Sequence, residues 1–136
     1  MEDCIFCKIV AGSIPSTKIF EDADTLAFLD IGPVNPGHTL VIPKNHATNI
    51  FDIEEKDYLA VMKTVCAIAP AIRAGVGAEG VNITSSNEKA AGQEVFHLHV
   101  HIIPRFEKDM LKHWPHGKYQ SEEAQKIAEK IKNALN

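Results

Sequence analysis

The spacing of apolar residues along the 136-residue chain changes period several times, and each change predicts an element. Lys18-Ile19-Phe20-Glu21 alternates weakly and Thr25-Leu26-Ala27-Phe28-Leu29-Asp30 has strand composition, with an acidic turn between them, so a hairpin is expected. Ile31 to Gly37 is a loop punctuated by Pro and Gly, and His38-Thr39-Leu40-Val41-Ile42 reads as a strand stopped by Pro43. From Asp52 and Glu55, which resemble a capping box, apolar residues recur in steps of three and four: Leu59, Met62, Val65, Cys66, Ala69, Ile72. This predicts a long helix that Pro70 kinks or ends early, closed by Gly75, Gly77 and Gly80. Strands are then expected at Val81 to Thr84 and Val95 to Ile103. Ser121 is expected to cap a final helix with Ala124, Ile127, Ala128, Ile131 and Leu135 on one face. Strands joined by short turns favour an antiparallel sheet with helices on one side, an α+β layout.

Composition narrows the function. Fourteen Lys and Arg against eighteen Asp and Glu leave a formal charge of −4. The two arginines, Arg73 and Arg105, form no cluster, so a nucleic-acid polymer is not an expected partner. No apolar run approaches the ~18 residues of a membrane helix, so no membrane partner is expected. The acidic start Met1-Glu2-Asp3-Cys4 lacks signal-peptide order, and three cysteines cannot all pair, so a cytoplasmic protein is expected. No Gly-rich phosphate loop lies between a strand and a helix. No repeat or linker divides the chain, and one domain over 1–136 is expected.

The chemistry concentrates in His97-Leu98-His99-Val100-His101-Ile102-Ile103. On a strand the three imidazoles share one face and the aliphatic residues the other, with successive histidines ~6.5 Å apart. Chance alternation explains this poorly. A transition-metal centre and nucleophilic catalysis by imidazole both stay open.

The run resembles the His-φ-His-φ-His-φ-φ signature of the histidine triad (HIT) family. The resemblance extends through Cys4 to Ile9, Phe28 to Ile31, Gly37 to Lys44, Gly92 to Phe96 and Pro104-Arg105, in the manner of the bacterial Hint-like branch. It implies a HIT-like fold of about five antiparallel strands, a long helix and a C-terminal helix. The motif core spans about 4–106 with a tail at 107–136, and two copies dimerise into an extended sheet. It implies a nucleotide hydrolase acting on purine nucleoside phosphoramidates, with dinucleoside polyphosphate hydrolysis or a purine-nucleotide-binding regulatory role as alternatives.

Residue by residue, His99 matches the nucleophile, His101 the histidine that contacts phosphate oxygens, and His38 a member of the same proton network. Asp30 matches the ribose acceptor, though by itself it also reads as a turn-starting Asp. Phe6, Ile9, Phe28, Leu29 and Ile31 match the base pocket; without the match they read as core. The loop that reaches the phosphates contains Ser86, Asn87 and Gln93, with the amide position counting to Ser86. Glu94 stands where many relatives have Ser or Thr, which leaves the leaving-group preference open. Cys4, Cys7, His46 and His97 match the ligands of a structural zinc found in some relatives. Cys66 reads as an inert core thiol. His113, Trp114, Pro115 and His116 read as a surface turn with Trp114 packed on the core; in some relatives this tail borders the partner's site.

Overall fold

The computed structural model describes residues 3–135; Met1 and Glu2 of the acidic start, and Asn136, lie outside them. The elements are α1 (Ile5–Val10), β1 (Lys18–Glu21), β2 (Thr25–Leu29), β3 (Thr39–Pro43), α2 (Glu55–Val76), β4 (Gly80–Thr84), β5 (Val100–Arg105) and α3 (Glu123–Ala134). Five strands form one antiparallel sheet in the order β1-β2-β3-β5-β4. Helix α2 connects β3 to β4, and β5 then enters between them. The end of the histidine run therefore lies inside the sheet, with His101 opposite Leu40 of β3 and Thr84 of β4.

Alternation sorts the side chains onto two faces. Ala27, Val41, Leu98, Val100 and Ile102 pack with Val61, Val65, Ile68 and Ile72 of α2. A 2.7 Å hydroxyl contact between Thr25 and Thr64 joins the same layers. Leu26, Phe28, Leu40 and Ile42 face the other way and pack with Phe6 and Ile9 of α1. Helices thus lie on both faces, not on one as expected, because the short Cys4–Ala11 segment carries its own apolar pair.

Several local expectations give way to stronger forces. The sheet ladder begins at Val100, not Val95. The His97 carbonyl accepts the Nδ1–H of His99 at 2.8 Å, and Leu98 N–H turns to the Ala47 carbonyl at 2.7 Å. Local bonds of this kind compete with a ladder. Asp52 does not cap α2. Its carboxylate accepts the Thr48 and Asn49 N–H groups, and the helix starts after Glu54. Pro70 does not end α2, which continues to a left-handed cap at Gly77. Glu122, not Ser121, occupies the cap of α3, and α3 buries none of its residues. Cys66 is exposed on α2, and Trp114 stands 83% exposed instead of packing on the core.

Helix α2 also corrects the expectation about apolar runs: by length and composition it is long and apolar enough to cross a membrane. Val61, Thr64, Val65, Ile68 and Ile72 are buried beneath the sheet, while Leu59, Cys66 and Val76 of the same helix are exposed.

One glycine is required by close approach. Gly37 has φ +95°, and a Cβ there would meet Val76 Cγ1 at 2.8 Å and Pro104 Cγ at 3.2 Å. A side chain would push apart the start of β3, the end of α2 and β5, directly before His38.

Candidate active site

On the α1 face a cleft of about 370 Å³ opens beside the histidine run. Phe6, Ile9, Phe28, Leu29, Leu40 and Val95 make its apolar part. Asp30, Ser86, Glu94, His99 and His101 bring polar groups, and Ile31 stands fully exposed at its edge. An apolar floor with a few convergent polar groups suits a small organic ligand. Phe6 meets Phe28 edge-on at 5.5 Å and His99 at 5.2 Å between ring centroids, so the floor and the imidazole brace each other.

Hydrogen bonds assign the ring protons. His99 donates from Nδ1 to the His97 carbonyl, which leaves its Nε2 lone pair free of that bond. His38 Nδ1 accepts the Val34 N–H at 3.0 Å, so its proton is on Nε2. That proton is donated to His101 Nδ1 at 2.8 Å, which in turn places the His101 proton on Nε2. The rings of His99 and His101 lie 4.9 Å apart, closer than flat strand spacing implies, because His99 precedes the ladder.

Burial favours neutral imidazoles throughout. It pushes His101 down to about 4, helped by the neighbouring His99 and His38. His99 and His38 are also lowered by burial; the His97 carbonyl and Asp30 oppose the shift at His99, and Asp30 opposes it at His38. At neutral pH the site therefore presents uncharged rings, one with a lone pair and one with an N–H. Asp30 accepts the Gly32 N–H at 2.8 Å through one oxygen, and its other oxygen lies 3.6 Å from His38 Nε2. Both the turn role and a cleft position are thus present in one residue.

Two residues expected at the phosphates are engaged elsewhere. Gln93 is buried, and its amide donates to the Thr48 and Val95 carbonyls while its oxygen accepts the Glu88 N–H and Asn49 Nδ2. Those four bonds use both of its donors and both lone pairs. Asn87 accepts the Ile50 N–H at 2.8 Å and does not line the cleft. Ser86, Gly92 and Glu94 are the members of this loop that do. Leu40 and Val95 also line the cleft and were missed. Leu40 was detectable, since it lies two residues from His38 on the same strand face. Pro15 and Ser16 come from a distant loop with no local signal.

A second cluster lies behind the first. The ligating atoms of Cys4, Cys7, His46 and His97 all fall within 4.8 Å of one another. His97 Nδ1 is 3.4 Å from Cys4 Sγ, 3.5 Å from Cys7 Sγ and 3.2 Å from His46 Nδ1, while Cys7 Sγ is 3.3 Å from His46 Nδ1. Tetrahedral zinc with bonds of ~2.3 Å to sulfur and ~2.0–2.1 Å to nitrogen places its ligand atoms at about these separations. His97 donates its other ring proton to the Pro43 carbonyl at 2.8 Å, which turns the Nδ1 lone pair toward the cluster. Burial pushes His97 down to about 4, so it is neutral and able to ligate. The donor set fits zinc. Both cysteines belong to the first turn of α1, where Cys4 Sγ accepts the Cys7 N–H, so the cluster anchors the helix that bears Phe6 and Ile9.

A sequence model of the HIT domain matches residues 11–108, which contain His38, His99 and His101. The chain belongs to the HIT family. It is 50% identical over 107 residues to Protein hit of Bacillus subtilis, covering 79% of this chain and 74% of that protein. It is 38% identical to the adenosine 5′-monophosphoramidase hnt1 of Schizosaccharomyces pombe over 97% of this chain and 98% of that protein. The structure of a zinc-bound histidine triad family protein from Mycobacterium smegmatis superposes with a TM-score of 0.78 at 36% identity, covering 98% of both chains. The HIT fold and the five-stranded sheet agree with expectation. Hydrolases of nucleotides occur among its relatives, and the Cys/His cluster is compatible with zinc.

Proposed function

We propose that this chain hydrolyses purine nucleoside phosphoramidates, with adenosine 5′-phosphoramidate as the type substrate. One observation carries the reading: His99 has its Nδ1–H tied to the His97 carbonyl and its Nε2 lone pair available beside the cleft. The base rests on Phe6, Ile9, Phe28 and Leu29, and Asp30 accepts from the ribose hydroxyls. His99 Nε2 attacks the α-phosphorus and the phosphorus–nitrogen bond breaks. Its electron pair leaves with the nitrogen, which takes up a proton from solvent and departs as the amine. Water then attacks phosphorus and gives up a proton to solvent, the phosphorus–Nε2 bond breaks with its electrons returning to the ring, and AMP is released. His101 Nε2–H donates to a phosphate oxygen as charge builds there.

Glu94 favours an amine over a polyphosphate leaving group, since a carboxylate lining the cleft repels an anion. Dinucleoside polyphosphates are thus the second reading. The S. pombe relative, an adenosine 5′-monophosphoramidase by name, supports the first. Cys4, Cys7, His46 and His97 would hold a structural zinc, which supplies four fixed bonds and no reactive position. The free edge of β4 among the described residues, with exposed Ile83, supports pairing of two copies into an extended sheet.

AMP release from adenosine 5′-phosphoramidate, measured for the wild type and for folded His99→Ala, tests the reading. Turnover lost in the variant supports it. Equal turnover by both overturns the nucleophile, and tight AMP binding without turnover by the wild type moves a regulatory role ahead.

A further inference from the structure

We propose that Asn35, clamped by the Arg105–Asp109 pair, is a positioning residue that sets the tautomer of the His38–His101 relay. The loop before His38 contains Pro33 and Pro36, neither of which has an N–H to pin it. The Asn35 side chain ties it to the end of β5 and the segment beyond. Asn35 Nδ2 donates to the Pro104 carbonyl at 2.8 Å and to Asp109 Oδ2 at 3.2 Å.

The acceptor is itself fixed. Arg105 meets Asp109 with Nε at 2.7 Å from Oδ2 and Nη2 at 3.1 Å from Oδ1, a two-pronged contact. The Phe106 and Leu111 N–H groups also donate to this carboxylate, which is 7% exposed. Arg105 reaches on to Asn82 Oδ1 of β4 at 2.6 Å. Met110, next to Asp109, holds φ +63°, a strained value for a residue with a side chain and one that persists only when its surroundings demand it.

From Asn35 the consequence reaches the relay in two bonds. The Asn35 carbonyl accepts the His38 N–H at 3.0 Å, and the adjoining Val34 N–H donates to His38 Nδ1. That last bond, with Asp30 Oδ2 3.6 Å from the opposite ring nitrogen, favours the His38 proton on Nε2 and so the His101 proton on its own Nε2. A loop freed at Asn35 releases Val34, and His38 is then able to carry its proton on Nδ1, facing His101 with a lone pair opposite a lone pair.

The kinetic arm of the test rests on the proposed phosphoramidase reading; the spectroscopic arm does not. NMR of isotope-labelled ring nitrogens reports the tautomer of His38, assigned by its loss in His38→Gln. In the wild type Nε2 is expected to be the protonated nitrogen. In Asn35→Ala the His38 ring is expected to be a mixture of tautomers, with kcat for AMP release lowered roughly tenfold and KM changed less than about threefold. Asp109→Asn keeps the shape and removes the charge, and the same changes in smaller degree are expected, which guards against a misfolded Asn35→Ala. Glu79→Gln, on the same face and bonded to the Glu107 N–H, leaves both readouts unchanged. An unaltered His38 tautomer in folded Asn35→Ala and Asp109→Asn overturns the proposal. If the wild type releases no AMP, the substrate reading fails and the ring shifts still decide the clamp.

Discussion

Two groups of ligating side chains, Cys4-Cys7-His46-His97 and Asp30-His38-His101, each converge within 4.8 Å, and one seven-residue run contributes a histidine to each. Their protonation patterns are opposite. In the first, His97 spends its ring proton on the Pro43 carbonyl and turns a lone pair toward two sulfurs and a second imidazole. In the second, the lone pair of His101 is already filled by the His38 proton at 2.8 Å, and the group lies at a cleft. Proximity of histidines is therefore a poor guide to metal. Which nitrogen is free, and what it faces, separates a cluster suited to an ion from one suited to a substrate.

The largest test exchanges the two ends of the run. His99→Ala is expected to lower AMP release at least about a thousandfold, because the attacking atom is gone, while zinc content and melting temperature hold. His97→Ala is expected to do the reverse: zinc falls below one per chain and the protein melts earlier. Parallel behaviour of the two variants in metal analysis and calorimetry would show one site where two are described.

Next in size is a test of the proposed zinc. Chelation, or Cys7→Ser, is expected to lower the melting temperature by roughly 10 °C, since structural zinc binding contributes directly to folding stability. AMP affinity by titration calorimetry should weaken as well, because the released helix carries Phe6 and Ile9. A chelated protein that melts and binds AMP like the untreated one would remove the structural link between the clusters.

The sequence foretold these clusters unequally. Alternation in the run was legible, and it holds: Leu98, Val100 and Ile102 enter the α2 core while His99 and His101 face the cleft. Strands β1 to β4 fell close to expectation because their apolar period is local, whereas β5 begins five residues later than expected. Gln93 and Asn87 misled because a polar loop residue looks the same whether it faces a ligand or staples its own loop. Only the distant partners Thr48, Asn49 and Ile50 decide that. Asp52 misled for a similar reason, since its spacing from Glu55 fits a capping box while its carboxylate serves the preceding turn. Trp114 and the apolar stripe of α3 carried no information about packing, which depends on what lies opposite.

Acid should separate the relay from the rest of the fold. His101 is held to about 4 in the folded chain against an ordinary 6.5, burial being the main cause. Between those values the unfolded chain binds a proton that the folded chain refuses, so stability falls as pH drops from 6.5 toward 4 and is unaffected by this group above 6.5. Urea midpoints measured across that interval should decline, and more shallowly in His101→Gln. An equal slope in the variant would assign the acid sensitivity to other groups.

A smaller and purely steric effect is expected at Gly37→Ala. The new methyl meets Val76 and Pro104 in a left-handed backbone, at a cost of about 1–3 kcal/mol in denaturant unfolding. Because His38 follows directly, AMP release should fall with it. A neutral substitution would mean that α2 and β5 yield to the methyl more readily than their packing implies.

The smallest effect is expected at the third thiol, and its smallness is the point. Cys66 has the same chemistry as Cys4 and Cys7, but it sits exposed on α2. Metal analysis of Cys66→Ser should match the wild type, and the change in unfolding free energy should stay within about 0.5 kcal/mol, as for surface positions without special partners. Cys7→Ser removes one of four converging donors, whereas Cys66→Ser removes a thiol that converges with none of them. If zinc content followed Cys66 instead, the metal would be held by exposed thiol chemistry alone, and the geometry around His97 would have no part in it.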